Sequence, residues 1–451
     1  MDERLAELGP HIVTPYPGPR TRVLVERLRR VEGSGMRTAA AEYPLVAWES
    51  ARGALVYDPD GNRYLDLYAG FAAATLGHAH PRVTAAIQAQ AERLTHVSSA
   101  YPTPTRAALM ETLLSLAPTG LTRGLFAITG GQGNDLALRL ARRATGRDEF
   151  IAFRGGYFGR DAGVLGLNGK AAFRRGLRVA PGAHFFPYPY PYRCPFGNRH
   201  EDPAECGREA LAYLEHALRD PASGIGEVAA IVVEPVQGNA GVVVPPPSFL
   251  PGLRRLCDEL GILLILDEIQ SGFGRTGCLW ACEHWGVAPD LMTVGKGLGG
   301  GLAVSAVLGR EGPMGALEPG QHTSTFLTNA LTHAAALAGL EVMVEEKLWQ
   351  RSRELGAFLL SGLAARLAGH PHVGEVRGLG LFVAVEMVTD RDTRRPAPER
   401  AREVLSRARD AGLILGLSGQ FSHVVKLAPP LIIGRKQLEI ALELLGEVFH
   451  A

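Results

Sequence analysis

The 451 residues carry 47 basic and 46 acidic side chains, a formal net charge of +1, which gives no electrostatic ground for a polyanion partner. Although 46% of the residues are hydrophobic, apolar runs such as Val228–Val233 are far shorter than the roughly 20 residues needed to cross a bilayer. A soluble chain with neither a nucleic-acid nor a membrane partner is therefore expected, and at roughly 150 residues per domain its length fits two or three domains or one large α/β unit with an appendage.

In chain order, Met1-Asp-Glu-Arg4 lacks the charged and apolar regions of a signal peptide, which makes a cytoplasmic location the default expectation. Leu125–Thr129 reads as a strand, followed by an amphipathic helix over Asn134–Ala144 and a strand at Phe150–Phe153. The Pro- and Tyr-rich segment Phe186–Gly197 reads as an irregular surface excursion. Strand Val228–Val233, helix Phe249–Leu260 and strands Leu263–Leu266, Leu291–Val294 and Val304–Leu308 follow. Such alternation predicts an α/β fold, a mostly parallel sheet covered by helices on both faces. The last hundred residues change character. Strands over Val376–Met387, a helix over Pro398–Ala411, a short strand at Val424–Leu427 and a final helix over Lys436–Phe449 suggest a smaller α+β unit. The expected division is residues 1–65 packing with the small domain, 66–335 as the large domain, and 336–451 as the small domain. Five scattered cysteines without a C-x-x-C pair argue against a disulfide framework and against a metal site.

The residues that carry chemistry lie just past strands, where open α/β sheets form their crevice. Strand Ile262–Leu266 runs into Asp267-Glu268-Ile269-Gln270. Taken singly, Asp267 reads best as a helix cap. The next strand runs into Gly295-Lys296-Gly297. A lysine among glycines past an apolar strand is partly desolvated, and desolvation lowers the pKa of an ammonium and yields the nucleophilic amine used in Schiff bases. The chain has only five lysines, and Lys170, Lys347, Lys426 and Lys436 fall in exposed helical contexts or in the small domain. Thr129-Gly130-Gly131-Gln132-Gly133 follows a strand and opens a helix, a setting in which backbone amides bind phosphate. Singly it is an ordinary glycine turn. Together, a phosphate cradle, a strand-end carboxylate and a glycine-flanked lysine are the parts that pyridoxal 5'-phosphate needs.

With these residues in place the sequence resembles the class III pyridoxal-phosphate aminotransferases, which include ornithine, acetylornithine and 4-aminobutyrate aminotransferases. The resemblance runs through Gly61-Asn-Arg-Tyr-Leu-Asp66, Leu76-Gly-His-Ala-His-Pro81, Tyr157-Phe-Gly-Arg160 and Glu234-Pro-Val-Gln-Gly238. It continues through Asp267-Glu-Ile-Gln270, Gly295-Lys-Gly297, Thr325-Phe-Leu-Thr-Asn329 and Arg377-Gly-Leu-Gly380. It implies the fold type I architecture of pyridoxal-phosphate transferases, with Lys296 as the Schiff-base lysine and proton shuttle and Asp267 as partner of the pyridine nitrogen. Gln270 is implied at the ring hydroxyl, Tyr157 stacked on the ring, Gly130 and Gly131 on the phosphate, and Glu234 within the cofactor-binding set. Thr325 is implied at the phosphate of a neighbouring subunit, hence a homodimer. Arg160 matches the arginine that binds the distal carboxylate of substrate or 2-oxoglutarate. The chain departs from the family at Gly131 and Gln132, where a serine and an acidic residue are usual, and at Asn239 and Lys426, where a glutamate and an arginine pair in enzymes that use both a terminal amine and glutamate. The resulting expectation is transfer of an amino group from an ω-amino acid, amino acid or amine to an oxo acid such as 2-oxoglutarate. The alternative is an amino-acid racemase or epimerase of the same fold, which shares the Pro-Tyr-rich segment and the run Gly241–Pro246.

Overall fold

The computed structural model describes residues 9–36, 46–177, 182–197 and 202–451; Met1–Arg4, read above for a targeting signal, lies outside them. Among the described residues, the large central sheet has seven strands. They are β4 (Arg123–Ala127), β5 (Glu149–Phe153), β6 (Ala183–Phe186), β7 (Val228–Val233), β8 (Leu263–Asp267), β9 (Leu291–Val294) and β10 (Ser305–Gly309), in the spatial order β4-β10-β9-β8-β7-β5-β6. β10 runs antiparallel to both of its neighbours, and the other pairs are parallel. The expected sheet is therefore present with one reversed strand. Every residue of β7, β9 and β10 is buried. Burial on both faces is why these strands are unbroken apolar runs with no alternation.

Two smaller sheets flank it in sequence. β1 (Ser50–Arg52), β2 (Leu55–Tyr57) and β3 (Arg63–Asp66) form an antiparallel ladder, and β13 (Leu413–Ile414) closes it by pairing parallel to β3, with Leu413 opposite Leu65. β11 (Val373–Leu379), β12 (Phe382–Met387), β15 (Val424–Leu427) and β14 (Gly416–Ser418) form a second antiparallel sheet, with the helix Leu348–Arg366 against β11. The main helices start where capping chemistry directs. Thr129 caps Gly130–Thr145 and Asn329 caps Ala330–Glu345.

The reading of Phe186–Gly197 as a surface excursion needs correction at its start. Phe186, Pro187, Tyr188 and Pro189 are buried. The Tyr188 ring stands edge-on to Phe153 and Phe249, and its hydroxyl donates to the carbonyls of Glu234 and Pro235 at 3.2 and 3.0 Å. Prolines bring no backbone N–H that would need a partner, and aromatic rings gain much from burial, so this composition suits an interior passage as well as a surface loop.

The same segment ties the central sheet to the C-terminal one. Glu386 on β12 is fully buried and receives Arg377 Nη1 at 2.6 Å, together with the Tyr190 hydroxyl and Arg193 Nε. Arg377 also donates through Nη2 to the Gly241 carbonyl at 2.6 Å. Burial pushes the Glu386 carboxyl up, but His423, Arg377 and Arg193 more than offset it and hold the group well below the usual carboxylate range. A depressed carboxyl adds stability at pH values above its unfolded value, and that stability is lost as the pH falls through the folded value. Glu386→Gln removes the fully buried counter-charge of Arg377 and leaves it only Glu375, whose Oε2 accepts from Arg377 Nη1 at 2.8 Å, and is expected to cost up to about 3–5 kcal/mol at neutral pH, read from urea unfolding. The gap between wild type and variant should narrow as the pH drops below about 4; a gap that widens there would contradict the assignment.

Candidate active site

A cavity of about 340 Å³ opens past the carboxyl ends of the central strands. Lys296, Asp267, Gly130, Gly131 and Tyr157 line it. So do Glu234, Gln270, Arg160 and Asn239. Residues that lie as far apart in sequence as Gly130 and Lys296 thus share one wall, because β4, β5, β7, β8 and β9 all deliver their C-terminal ends to the same edge.

Asp267 ends β8 and is 4% exposed. Its Oδ2 accepts from Asn134 Nδ2 at 2.7 Å and its Oδ1 from the Ile269 amide at 2.9 Å. No helix follows it directly, so it does not act as a helix cap. Asn134 is in turn fixed by Thr293 Oγ1, which donates to Asn134 Oδ1 at 2.7 Å, and by its own Nδ2 contact to the Phe158 carbonyl. Burial pushes the Asp267 carboxyl up, while Asn134, the Ile269 amide and the charge of Lys296 oppose the rise. Sequence reasoning passed over Asn134 and Thr293. An asparagine in the first turn of a helix carries no functional signal until the helix is seen against the strand end it serves.

Lys296 follows β9 in a short turn with φ of +41°, a left-handed conformation that a non-glycine residue holds only when its surroundings impose it. Burial pushes its ammonium down, and Asp267 and Glu234 pull the other way. Glu234, just past β7, accepts the Tyr157 amide on one oxygen and the Gly238 amide on the other, each at 3.0 Å. Burial and the Asp267 charge push it up to about 7. It therefore pins two loops of the wall. Gln270 donates through Nε2 to the Phe71 carbonyl at 3.1 Å.

Next to Asp267 on this wall, the helix Gly130–Thr145 presents its start. Thr129 takes up the Gln132 and Gly133 amides through its hydroxyl and carbonyl. Among the described residues the Gly130 and Gly131 amides have no hydrogen-bond partner. Tyr157 stands edge-on to Phe173 at 5.3 Å, and the exposed Arg160 guanidinium lies over the same ring, 4.2 Å from its centre.

Two expected residues are off this wall. Lys426 is 2% exposed and sits behind it, with Nζ donating to the Gly238 carbonyl at 3.3 Å; burial and the nearby Lys296 push it down to about 7. Thr325 is exposed, in the run Thr323–Phe326 that precedes the helix Ala330–Glu345, and the chain does not bring it to its own cavity.

Residues 37–449 match the family Aminotransferase class-III. The chain belongs to this family. Among curated relatives, the 4-aminobutyrate aminotransferase of Escherichia coli is 38% identical, covering 90% of this chain and 94% of that protein. The alanine/serine racemase of Pyrococcus horikoshii is 36% identical, covering 97% and 92%. Among solved structures, a pyridoxal-phosphate-bound amine transaminase from an uncultivated Pseudomonas species is 32% identical with a TM-score of 0.85, covering 93% of this chain and 97% of that one. The class III transaminase is thus a fold type I enzyme, and its cofactor is pyridoxal phosphate. The donor set fits that group. Two unpartnered amides face a cavity that also offers a buried carboxylate and a desolvated lysine.

Borohydride reduction followed by peptide mapping should place the pyridoxyl group on Lys296; a label on Lys426, the other buried lysine, would overturn the assignment. Asp267→Asn should keep the cofactor but lower turnover by roughly tenfold to a hundredfold, the value of one hydrogen bond to a charged group. Near wild-type turnover in that variant would assign the role to another acid.

Proposed function

We propose that the enzyme moves an amino group from an ω-amino acid or related amine to a 2-oxo acid such as 2-oxoglutarate, and that it works in the cytoplasm as a homodimer. The observation that carries this reading is the exposed Arg160 guanidinium, which lines the same cavity as Tyr157 and Lys296 and stands over the Phe173 ring. A planar, permanently charged fork suits a distal carboxylate, and both ω-amino acids and 2-oxoglutarate carry one. When bound, pyridoxal phosphate supplies an electron-withdrawing ring that stabilises negative charge at the substrate carbon.

In this reading the chain's own residues divide the work. The Gly130 and Gly131 amides hold the phosphate, with the partial positive charge of the helix start behind them. Asp267, fixed in direction by Asn134, keeps a proton on the ring nitrogen. Tyr157 covers the ring face and Gln270 reaches its hydroxyl. Lys296 Nζ, with its ammonium destabilised by burial, takes the proton from the substrate carbon and delivers it again. Glu234 and Asn239 shape the wall facing the substrate. Thr325, exposed on its own subunit, completes the phosphate site of the partner subunit. The division at residues 65/66 and 335/336 belongs to the same reading, supported by three separate sheets and by the pairing of β3 with β13.

A second reading is racemisation of an amino acid at this site. It is favoured by the racemase relative and by Asn239 and Lys426, which leave a neutral amide and a buried amine where a fixed ion pair would serve two substrates.

Arg160→Ala separates the two readings. Loss of a charge-assisted pair contributes about 1.5–3 kcal/mol, so the half-reaction with 2-oxoglutarate should weaken by roughly ten- to a hundredfold. The half-reaction with a neutral monoamine should hardly change. Stopped-flow measurement of each half-reaction decides: equal losses would mean damage to the Tyr157–Phe173 contact, and no loss in either would favour the racemase.

A further inference from the structure

The start of the phosphate-facing helix is shared with a carboxylate. A Cβ built on Gly131 would overlap Asp161 Oδ2, so Asp161 fills the space beside this first turn that a serine side chain would otherwise use. Asp161 stands at the beginning of the short helix Ala162–Leu165, yet its side chain makes no capping hydrogen bond there. It lines the cavity with Thr129, Gly130 and Gly131 instead. The approach is fixed by backbone. Gly159, with φ of +122°, lies so close that a Cβ on it would come within 2.6 Å of Gly131 Cα. A helix start favours one anion, but two anions held at the same start repel each other.

We propose that Asp161 sets the affinity of this enzyme for its cofactor by weakening the hold on the 5'-phosphate. The proposal rests on the reading of Gly130 and Gly131 as the phosphate cradle. Its consequence is a site that retains the cofactor mainly through Lys296 and the ring contacts, and that discriminates less between pyridoxal phosphate and pyridoxal than the amides alone would dictate. Gly131 and Asp161 form one unit in this account. The glycine leaves room for the carboxylate, and the carboxylate excludes any larger residue at 131.

The test titrates apoenzyme with pyridoxal phosphate and, separately, with pyridoxal, following cofactor absorbance, in wild type, Asp161→Asn and Asp161→Ala. Pyridoxal reaches Lys296 and the ring contacts but lacks the phosphate, so it reports damage to the rest of the site. Both variants should bind pyridoxal phosphate about tenfold or more tightly than wild type, about 1.4 kcal/mol per tenfold, with pyridoxal unchanged. Unchanged or weaker binding of pyridoxal phosphate by both variants would overturn the proposal, as would equal shifts for the two ligands. A preference for the phosphorylated ligand that is equal in wild type and variants would leave the cradle reading standing and remove only the role of Asp161. If neither wild type nor variants preferred the phosphorylated ligand, the cradle reading would fall and the proposal with it.

Discussion

Asp267 is a carboxyl held in a place that disfavours its charge, and much of the surrounding structure answers to that constraint. Its strand is buried on both faces, so the carboxylate depends on directed hydrogen bonds in place of water. The register of β8 on β9 puts Asp267 beside Thr293, and Thr293 orients Asn134, which then donates to Asp267. Strand pairing therefore sets the direction of an acid. The helix that supplies Asn134 also supplies the Gly130 and Gly131 amides about one turn earlier. A single rigid element thus relates the Gly130–Gly131 end of the cavity to its acidic end, and a shift of that helix would disturb both at once.

The parts legible in the sequence were those carried by local pattern. Asp267 and Lys296 stood out because an apolar run announces a buried strand, and the residue after the run falls at its carboxyl end. The direction of β10 was not legible, since periodicity is the same read either way. Nor was the sheet that β13 closes: Leu413 pairs with Leu65 across most of the chain, and strands of two to four residues leave too little pattern to announce themselves. Burial of Phe186–Pro189 was misread because proline-rich segments are usually turns, and only the packed Phe153 and Phe249 rings show what the tyrosine gains by going inside.

The distribution of cations around the cavity also has a physical logic. Lys426 is buried with one carbonyl acceptor at 3.3 Å, and Lys296 lines the cavity near it; each ammonium is pushed toward the neutral form by burial. A guanidinium resists such deprotonation. Arg160, whose guanidinium stands over the Phe173 ring at 4.2 Å, sits at the exposed rim instead. The cavity thus has a guanidinium at its mouth and amines disfavoured as cations by burial farther in.

The turn Ala69–Ala72 shows how the N-terminal sheet enters this arrangement. Ala69, Gly70, Phe71 and Ala72 all have φ between +48° and +64°, a left-handed turn in which only one residue is glycine. Left-handed helical geometry costs roughly 1–2 kcal/mol for each non-glycine residue, so the turn persists only because its surroundings impose it. Asp66 at the end of β3 imposes it from one side, accepting the Tyr68 and Ala69 amides on one oxygen at 2.8 Å and His78 Nε2 on the other. Gln270 holds it from the cavity side through the Phe71 carbonyl. The same hydrogen bond restrains the Gln270 side chain, so the strain held at the end of β3 helps to fix a cavity wall that belongs to the central sheet.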